Sequence, residues 1–278
     1  MESNMLKIKR SRMAAIMILA LSLLSLYASV RGVIDKYLYT KVYEAGTMSQ
    51  SLITGCIAQD IVIIPLSILS ILVSVFFLIR TGYKAFIMLL GFAWCFFYGF
   101  GLYVIEANYT SIYLVYLAIF GLALYSMILG LLSFKPEGIS RTRLPASLRV
   151  SISIYFLLTL AILIPGWLLR IAPDIARHMP CDTYAVYIMD LTMVFPAFGI
   201  IAVQLLRNQP LGNILSGVAL FKGFTLCLSW AFAELSAPIF GKTIIPEMAV
   251  ISGLLTVFGI ILFIPYILKL KMEEHING

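Results

Sequence analysis

Two charged residues, Asp190 and Lys222, lie well inside stretches of sequence that are otherwise apolar. A charge at the centre of a membrane helix costs roughly 2.5–3.5 kcal/mol even on lenient insertion scales, so such residues face a protein interior and find partners there. Asp190 falls about seven residues into its stretch, a depth of roughly 10 Å at helical rise, and Lys222 about thirteen residues into the next, roughly 20 Å. Only Arg207-Asn-Gln-Pro210 joins the two stretches, which makes them antiparallel neighbours. A lysine side chain is long enough to climb toward the carboxylate. The pair reads either as a buried salt bridge that fixes helix register or as the core of a binding site.

Other residues could join that chemistry. Asp35, Glu44, Asp60, Glu106, Asp174, Asp182, Glu234 and Glu247 fall at or beyond one set of span ends, eight acids against six bases. Asp60, Glu106 and Glu234 sit at helix mouths, so the group suggests a vestibule for a small cation or proton, or else ordinary solvated ends. Pro65 follows Asp60 by five residues and Pro196 follows Asp190 by six. A proline within a helix frees the carbonyl four residues earlier, here of Ile61 and Thr192, and in a membrane a neighbour, water or ion must satisfy it. Trp94 and Tyr98 share a helix face and could line a pocket for an organic cation or a lipid tail, although packing alone explains most such aromatics.

Several chemistries lack their residues. Cys56, Cys95, Cys181 and Cys227 form no C-x-x-C pair, and His178 and His275 are too far apart for an H-E-x-x-H metal site. No metal centre, cofactor fingerprint or nucleophile elbow is present, so the residues favour a binding role over an enzyme. A Schiff-base role for Lys222 finds no second feature to support it. Cys56 and Cys181 fall on the same side of the membrane and are candidates for a disulfide in an oxidising compartment.

Eight apolar stretches position these residues: Met13–Val33, Ile61–Ile79, Ala85–Ile105, Ile112–Phe134, Ile152–Ile171, Tyr184–Leu206, Leu211–Leu235 and Ala249–Leu268. A helix needs about 20 residues to cross a hydrocarbon core of ~30 Å, which each supplies. The 278 residues are 62% hydrophobic and 12% charged, so the expected fold is all-α, a polytopic transmembrane bundle. Of the twenty lysines and arginines, thirteen fall in segments on one side, six on the other, and Lys222 within a span. The basic side is the cytoplasmic one, which places both termini inside and the acids outside. The net charge of +7 reflects this bias and favours contact with anionic lipid, and no basic surface for nucleic acid is expected. Lys7 to Arg12 before the first stretch resembles the start of a secretory signal, but the apolar run is longer than a signal core and is expected to stay uncleaved.

The basic segment 135–151, with Pro136, Gly138 and Pro145, lies halfway along the chain. It divides residues 1–134 from residues 152–278 as two four-helix halves. Landmarks recur between the halves: Asp60 and Asp190 are 130 residues apart, Pro65 and Pro196 131, Arg80 and Arg207 127, Glu106 and Glu234 128. The expectation is a parallel repeat of the kind found in some transporters.

The order Asp60…Pro65…Arg80, and the run from Tyr187 through Asp190 and Pro196 to Arg207-Asn-Gln-Pro-Leu-Gly212, resemble segments of uncharacterised prokaryotic multi-pass membrane proteins. The resemblance covers spans two to seven. It implies a cytoplasmic-membrane protein and carries no activity with it. Three functional readings remain: a secondary transporter or ion-coupled carrier with its site open to the outside, a ligand sensor or assembly partner without transport, and a membrane-embedded lipid-modifying enzyme. The carrier is favoured by the charges, the kinks and the repeat.

Overall fold

The computed structural model describes residues 5–35, 37–46, 49–181 and 183–273. Lys36, Asp182 and His275 lie outside the described residues. Among the described residues, eight helices are long and apolar enough to cross a membrane. The protein is an integral, multi-pass, all-α bundle.

The spans are α1 (Ile8–Ile34), α3 (Gln50–Ile79), α4 (Tyr83–Ile105), α5 (Tyr113–Leu131), α7 (Ala146–Arg177), the composite of α8 (Tyr184–Met189) and α9 (Phe195–Leu206), α10 (Pro210–Ser236) and α11 (Pro246–Lys269). Short helices α2 (Tyr37–Glu44) and α6 (Pro136–Ser140) lie between spans. The ends follow local chemistry. Ser49 caps α3 by accepting from the Leu52 amide at 3.2 Å. Pro136, Pro210 and Pro246 open their helices, where a missing amide hydrogen costs nothing. Ala107, His178 and Asn208 end helices in the left-handed conformation.

α4 and α10 form the centre. Their most apolar windows are 78% and 67% buried, against 28% for both α5 and α11. They touch each other, and each also packs on two or more further helices. α1 packs on α3 and α5, α4 on α5, α7 on α9 and α11, and α10 on α11. The outer spans turn large apolar side chains outward, among them Leu72, Leu114, Leu169 and Ile264. Lipid can cover such a belt at no hydrophobic cost, whereas water would not.

Both described ends of the chain lie on one face, tied together by backbone. The Lys7 amide donates to the Ser133 carbonyl at 2.7 Å and the Lys135 amide to the Met5 carbonyl at 2.9 Å. Strands β1 (Thr142–Arg143) and β2 (Lys271–Met272) pair antiparallel, with Thr142 opposite Met272. We call this the terminal face and the opposite one the far face. Helix α7 begins at Ala146, within the segment read as a linker, so the connection between halves is shorter than its composition suggests.

Candidate functional site

Helix α3 begins at Gln50, eleven residues earlier than the apolar pattern indicates. The polar run before Ile61 is helical because Ser49 caps it and because neighbours satisfy Gln59 and Asp60 at its end; the Gln59 amide donates to the Gly99 carbonyl at 2.9 Å. Asp60 is therefore not a solvated residue at a helix mouth; it is 1% exposed. Its carboxylate accepts from the Tyr39 hydroxyl and, at 3.2 Å, from the Tyr103 hydroxyl. Tyr39 comes from α2, whose Leu38, Tyr39 and Val42 turn into the protein while Tyr37 and Tyr43 stay outside. The segment between the first two spans is thus a helix that closes over Asp60.

The cysteines follow the same packing. All four are free, so the expected Cys56–Cys181 disulfide is not formed. Cys56 is buried, with the Asn108 side-chain amide donating to its sulfur at 3.7 Å. Cys181 lies in the connection before α8, beside Thr183.

Asp190 sits where the sixth span changes pitch. Residues Asp190–Val194 form a π-helical turn in which the Phe195 amide donates to the Asp190 carbonyl five residues back. The extra residue falls directly before Pro196, whose ring would clash with the carbonyl of an unbroken α-helix. Such π-bulges are common at functional sites. Pro65 differs, since α3 runs through it as one helix. The two prolines match in sequence position but not in local geometry.

The π-turn directs the Asp190 carboxylate inward, where it is 1% exposed. One oxygen accepts from the Trp167 indole nitrogen at 2.7 Å. The other is buried without a hydrogen-bond partner. Lys222 acts on the same carboxylate through its charge.

Lys222 is also 1% exposed, but it does not meet Asp190 in an ion pair. Its ammonium lies 3.5 Å from the centroid of the Tyr98 ring. Among the described residues it has no hydrogen-bond acceptor and no carboxylate within ion-pair distance. The sequence places both charges on neighbouring helices; in the structure the ammonium meets the ring of Tyr98, from α4, instead.

Lys222 and Tyr98 form part of the wall of a cavity of about 250 Å³. Its walls come from α3 (Gln59, Ile63), α4 (Cys95, Tyr98), α7 (Trp167, Arg170), α8 (Tyr187) and α10 (Lys222 to Ala233). Both halves of the chain thus contribute. Thr183 and Arg170 place its mouth toward the far face. The Trp167 ring packs 5.8 Å from Tyr187 and 5.7 Å from Trp230, and the Arg170 guanidinium lies 5.7 Å from the Trp167 ring. The cavity is an aromatic box with a lysine in its wall and an arginine near its opening.

The structure brings Tyr98, which the sequence assigns with Trp94 to a separate pocket, against Lys222. Trp94, four residues before Tyr98, packs against Phe198 instead of lining the cavity. Glu106 is buried at the end of α4, and Glu234 lies in the last turn of α10; neither lines the cavity. None of the outer acids among the described residues does, so they do not form a vestibule around it. Trp167, Trp230 and Tyr187 complete the box; the two tryptophans are absent from the residues singled out in the sequence, where Tyr187 figures only as the start of a resembling run. A signal for Trp230 existed: Lys222, Leu226 and Trp230 are spaced by four, one stripe of a helix. Gln59 and Asp60 show the same geometry in reverse, since adjacent residues point about 100° apart on a helix and only Gln59 reaches the cavity.

Set against known families, curated proteins and solved structures, the chain matches none.

Proposed function

We propose that this protein is a secondary carrier of a prokaryotic cytoplasmic membrane that admits a small organic solute from the outside. The observation that carries the reading is the cavity: it lies between the two four-helix halves, takes walls from both, and has Thr183 and Arg170 in its lining toward the far face. A site at the contact of two halves is where rocking of one against the other would expose it alternately. Its volume falls just under the ~300–1,000 Å³ typical of drug-sized ligand sites, which fits a small solute. The excess of lysine and arginine in the segments of the terminal face makes that face cytoplasmic and the cavity mouth external. Matching contacts support a parallel repeat: α1 packs on α3 and α5 as α7 packs on α9 and α11. Asp60 and Asp190, related in that repeat, supply one buried carboxylate in each half for coupling to protons.

Counterflow in proteoliposomes of the purified protein tests the reading. Accumulation of labelled solute against preloaded unlabelled solute is expected and should persist in Asp190→Asn, whereas uptake driven by an imposed proton gradient should be lost in that variant if the carboxylate couples protons. Saturable binding without counterflow would instead make the protein a sensor or assembly partner. That alternative draws on the backbone links among residues 5–7, 133–135, 142–143 and 271–272, which tie the terminal face together.

A further inference from the structure

We infer that the cavity binds a small organic anion, a monocarboxylate with an aromatic or compact apolar body, whose carboxylate pairs with Lys222. The inference rests on the carrier reading only for the transport step after binding. Three observations lead to it.

The first is the state of Lys222. The side chain is 1% exposed, reaches the wall of the cavity and has no acceptor for its ammonium hydrogens among the described residues. Buried ammonium groups are normally paired and hydrogen-bonded. The face of Tyr98 offers attraction to the charge but accepts no conventional hydrogen bond. A carboxylate entering the cavity supplies the missing acceptors.

The second is the sign of the lining. Lys222 and Arg170 are the charged side chains of the cavity wall, and no aspartate or glutamate is among the lining residues. Asp190 stands behind the wall, one oxygen held by Trp167. An organic cation would find the aromatic faces it needs but would also meet two positive charges. An anion is drawn past Arg170 at the mouth toward Lys222 deeper in.

The third is the shape of the apolar part. Trp167, Trp230 and Tyr187 form a continuous aromatic wall along the path from Arg170 toward Lys222. The Asp190 hydrogen bond fixes the tilt of the Trp167 ring. A flat or compact apolar body fits that wall, whereas an anion such as phosphate would leave it unfilled. Asp190 is thus a positioning residue for Trp167, with Lys222 the contact for the carboxylate.

Equilibrium binding to the full-length protein in nanodiscs tests this, using radiolabelled benzoate and phenylacetate beside benzylamine, phenethylamine and benzyl alcohol. The two carboxylates are expected to bind saturably and the amines and alcohol not. Lys222→Met should weaken carboxylate binding by about 30-fold or more, as for the loss of one partner of a buried charge pair. Lys222→Arg should retain part of the affinity. Selectivity for the amines, carboxylate affinity unchanged in a folded Lys222→Met, or failure of both carboxylates to bind the wild type would each overturn the assignment. Selectivity on the wild type holds as a test even if a variant fails to fold. Carboxylate binding without flux in proteoliposomes would sink the carrier reading and leave this one standing. Flux of an amine would do the opposite.

Discussion

The Lys222 ammonium rests 3.5 Å from the centroid of the Tyr98 ring and makes no ion pair with Asp190. The Tyr98 ring, and not the Asp190 carboxylate, is what the ammonium meets. A direct salt bridge would have locked α10 to the sixth span and satisfied both groups. The observed arrangement locks neither group to the other and leaves the lysine free to accept a partner from the cavity.

Stability measurements distinguish the two arrangements. Breaking a buried salt bridge by removing one partner costs roughly 3–5 kcal/mol. Here the lysine already bears most of its desolvation cost, offset by about 2 kcal/mol from the ring at best. Lys222→Met is expected to leave unfolding stability unchanged or raise it by about 1 kcal/mol. Thermal unfolding in detergent reads this directly. A loss of about 3 kcal/mol or more would mean that the lysine has a partner in the folded protein.

Trp167→Phe should behave differently. It removes the indole donor at 2.7 Å from Asp190 while keeping most of the apolar bulk. A hydrogen bond to a charged group contributes about 1.5–3 kcal/mol, so a loss of that size is expected. In an Asp190→Asn background the same change should cost less, because the group left behind is neutral. Equal losses in the two backgrounds would show that the bond to Trp167 does not depend on the charge.

Much of this fold was legible in the sequence, for a physical reason. A bilayer leaves a spanning segment only the helix, so length and apolarity alone identify the eight spans. What failed was where polar residues meet protein instead of water. The start of α3 reads as loop because Gln59 and Asp60 are polar, yet α2 folds back over Asp60 and the Gln59 amide donates to the Gly99 carbonyl of α4. The π-turn at Asp190 is hidden because Asp190 and Pro196 alone do not say which residue absorbs the strain. The box aromatics were hidden because Trp167 belongs to a helix remote in sequence from Lys222, and spacing along one helix says nothing of the next.

The closure of α2 over Asp60 can be tested on Tyr39. Tyr39→Phe deletes one of the two tyrosine donors to a buried carboxylate and leaves Tyr103 in place. A cost of about 1.5–3 kcal/mol is expected, together with faster amide hydrogen exchange in Tyr37–Glu44. Tyr37→Phe, on the exposed side of the same helix, should change neither. If both variants exchange alike, the Asp60 contact does not hold α2 in place.

The orientation proposed for the membrane has its own check. Gly138 lies in α6 near the terminal face and Thr183 at the start of α8 near the far face. A cysteine at position 138 should react with impermeant reagent only after the cytoplasmic side is opened, and one at position 183 in intact cells. The background has Cys181 replaced by serine, since that residue is partly exposed. The opposite labelling would invert the protein and turn the cavity mouth to the cytoplasm.

The contact between α4 and α10 is set by Gly91. A Cβ added there would lie 2.6 Å from the Cβ of Phe221 and 2.7 Å from its Cγ, so the collision is with the root of a side chain that cannot swing away. Gly91→Ala must push the two central helices apart, and overpacking of this kind costs typically about 1–3 kcal/mol. Gly130 provides the contrast. There the nearest obstruction is the methyl end of Leu90, with the next atom, its Cγ, at 3.4 Å. A rotamer change relieves that contact, so Gly130→Ala should cost well under about 1 kcal/mol after the gain in helix propensity is included. Truncating Phe221 to Ala should not rescue Gly91→Ala, because the Cβ that collides remains. Thermal unfolding of the three variants measures the difference. Equal stability of Gly91→Ala and Gly130→Ala would mean that α4 and α10 have slack at their closest approach, and that the cavity they share is not held at fixed width.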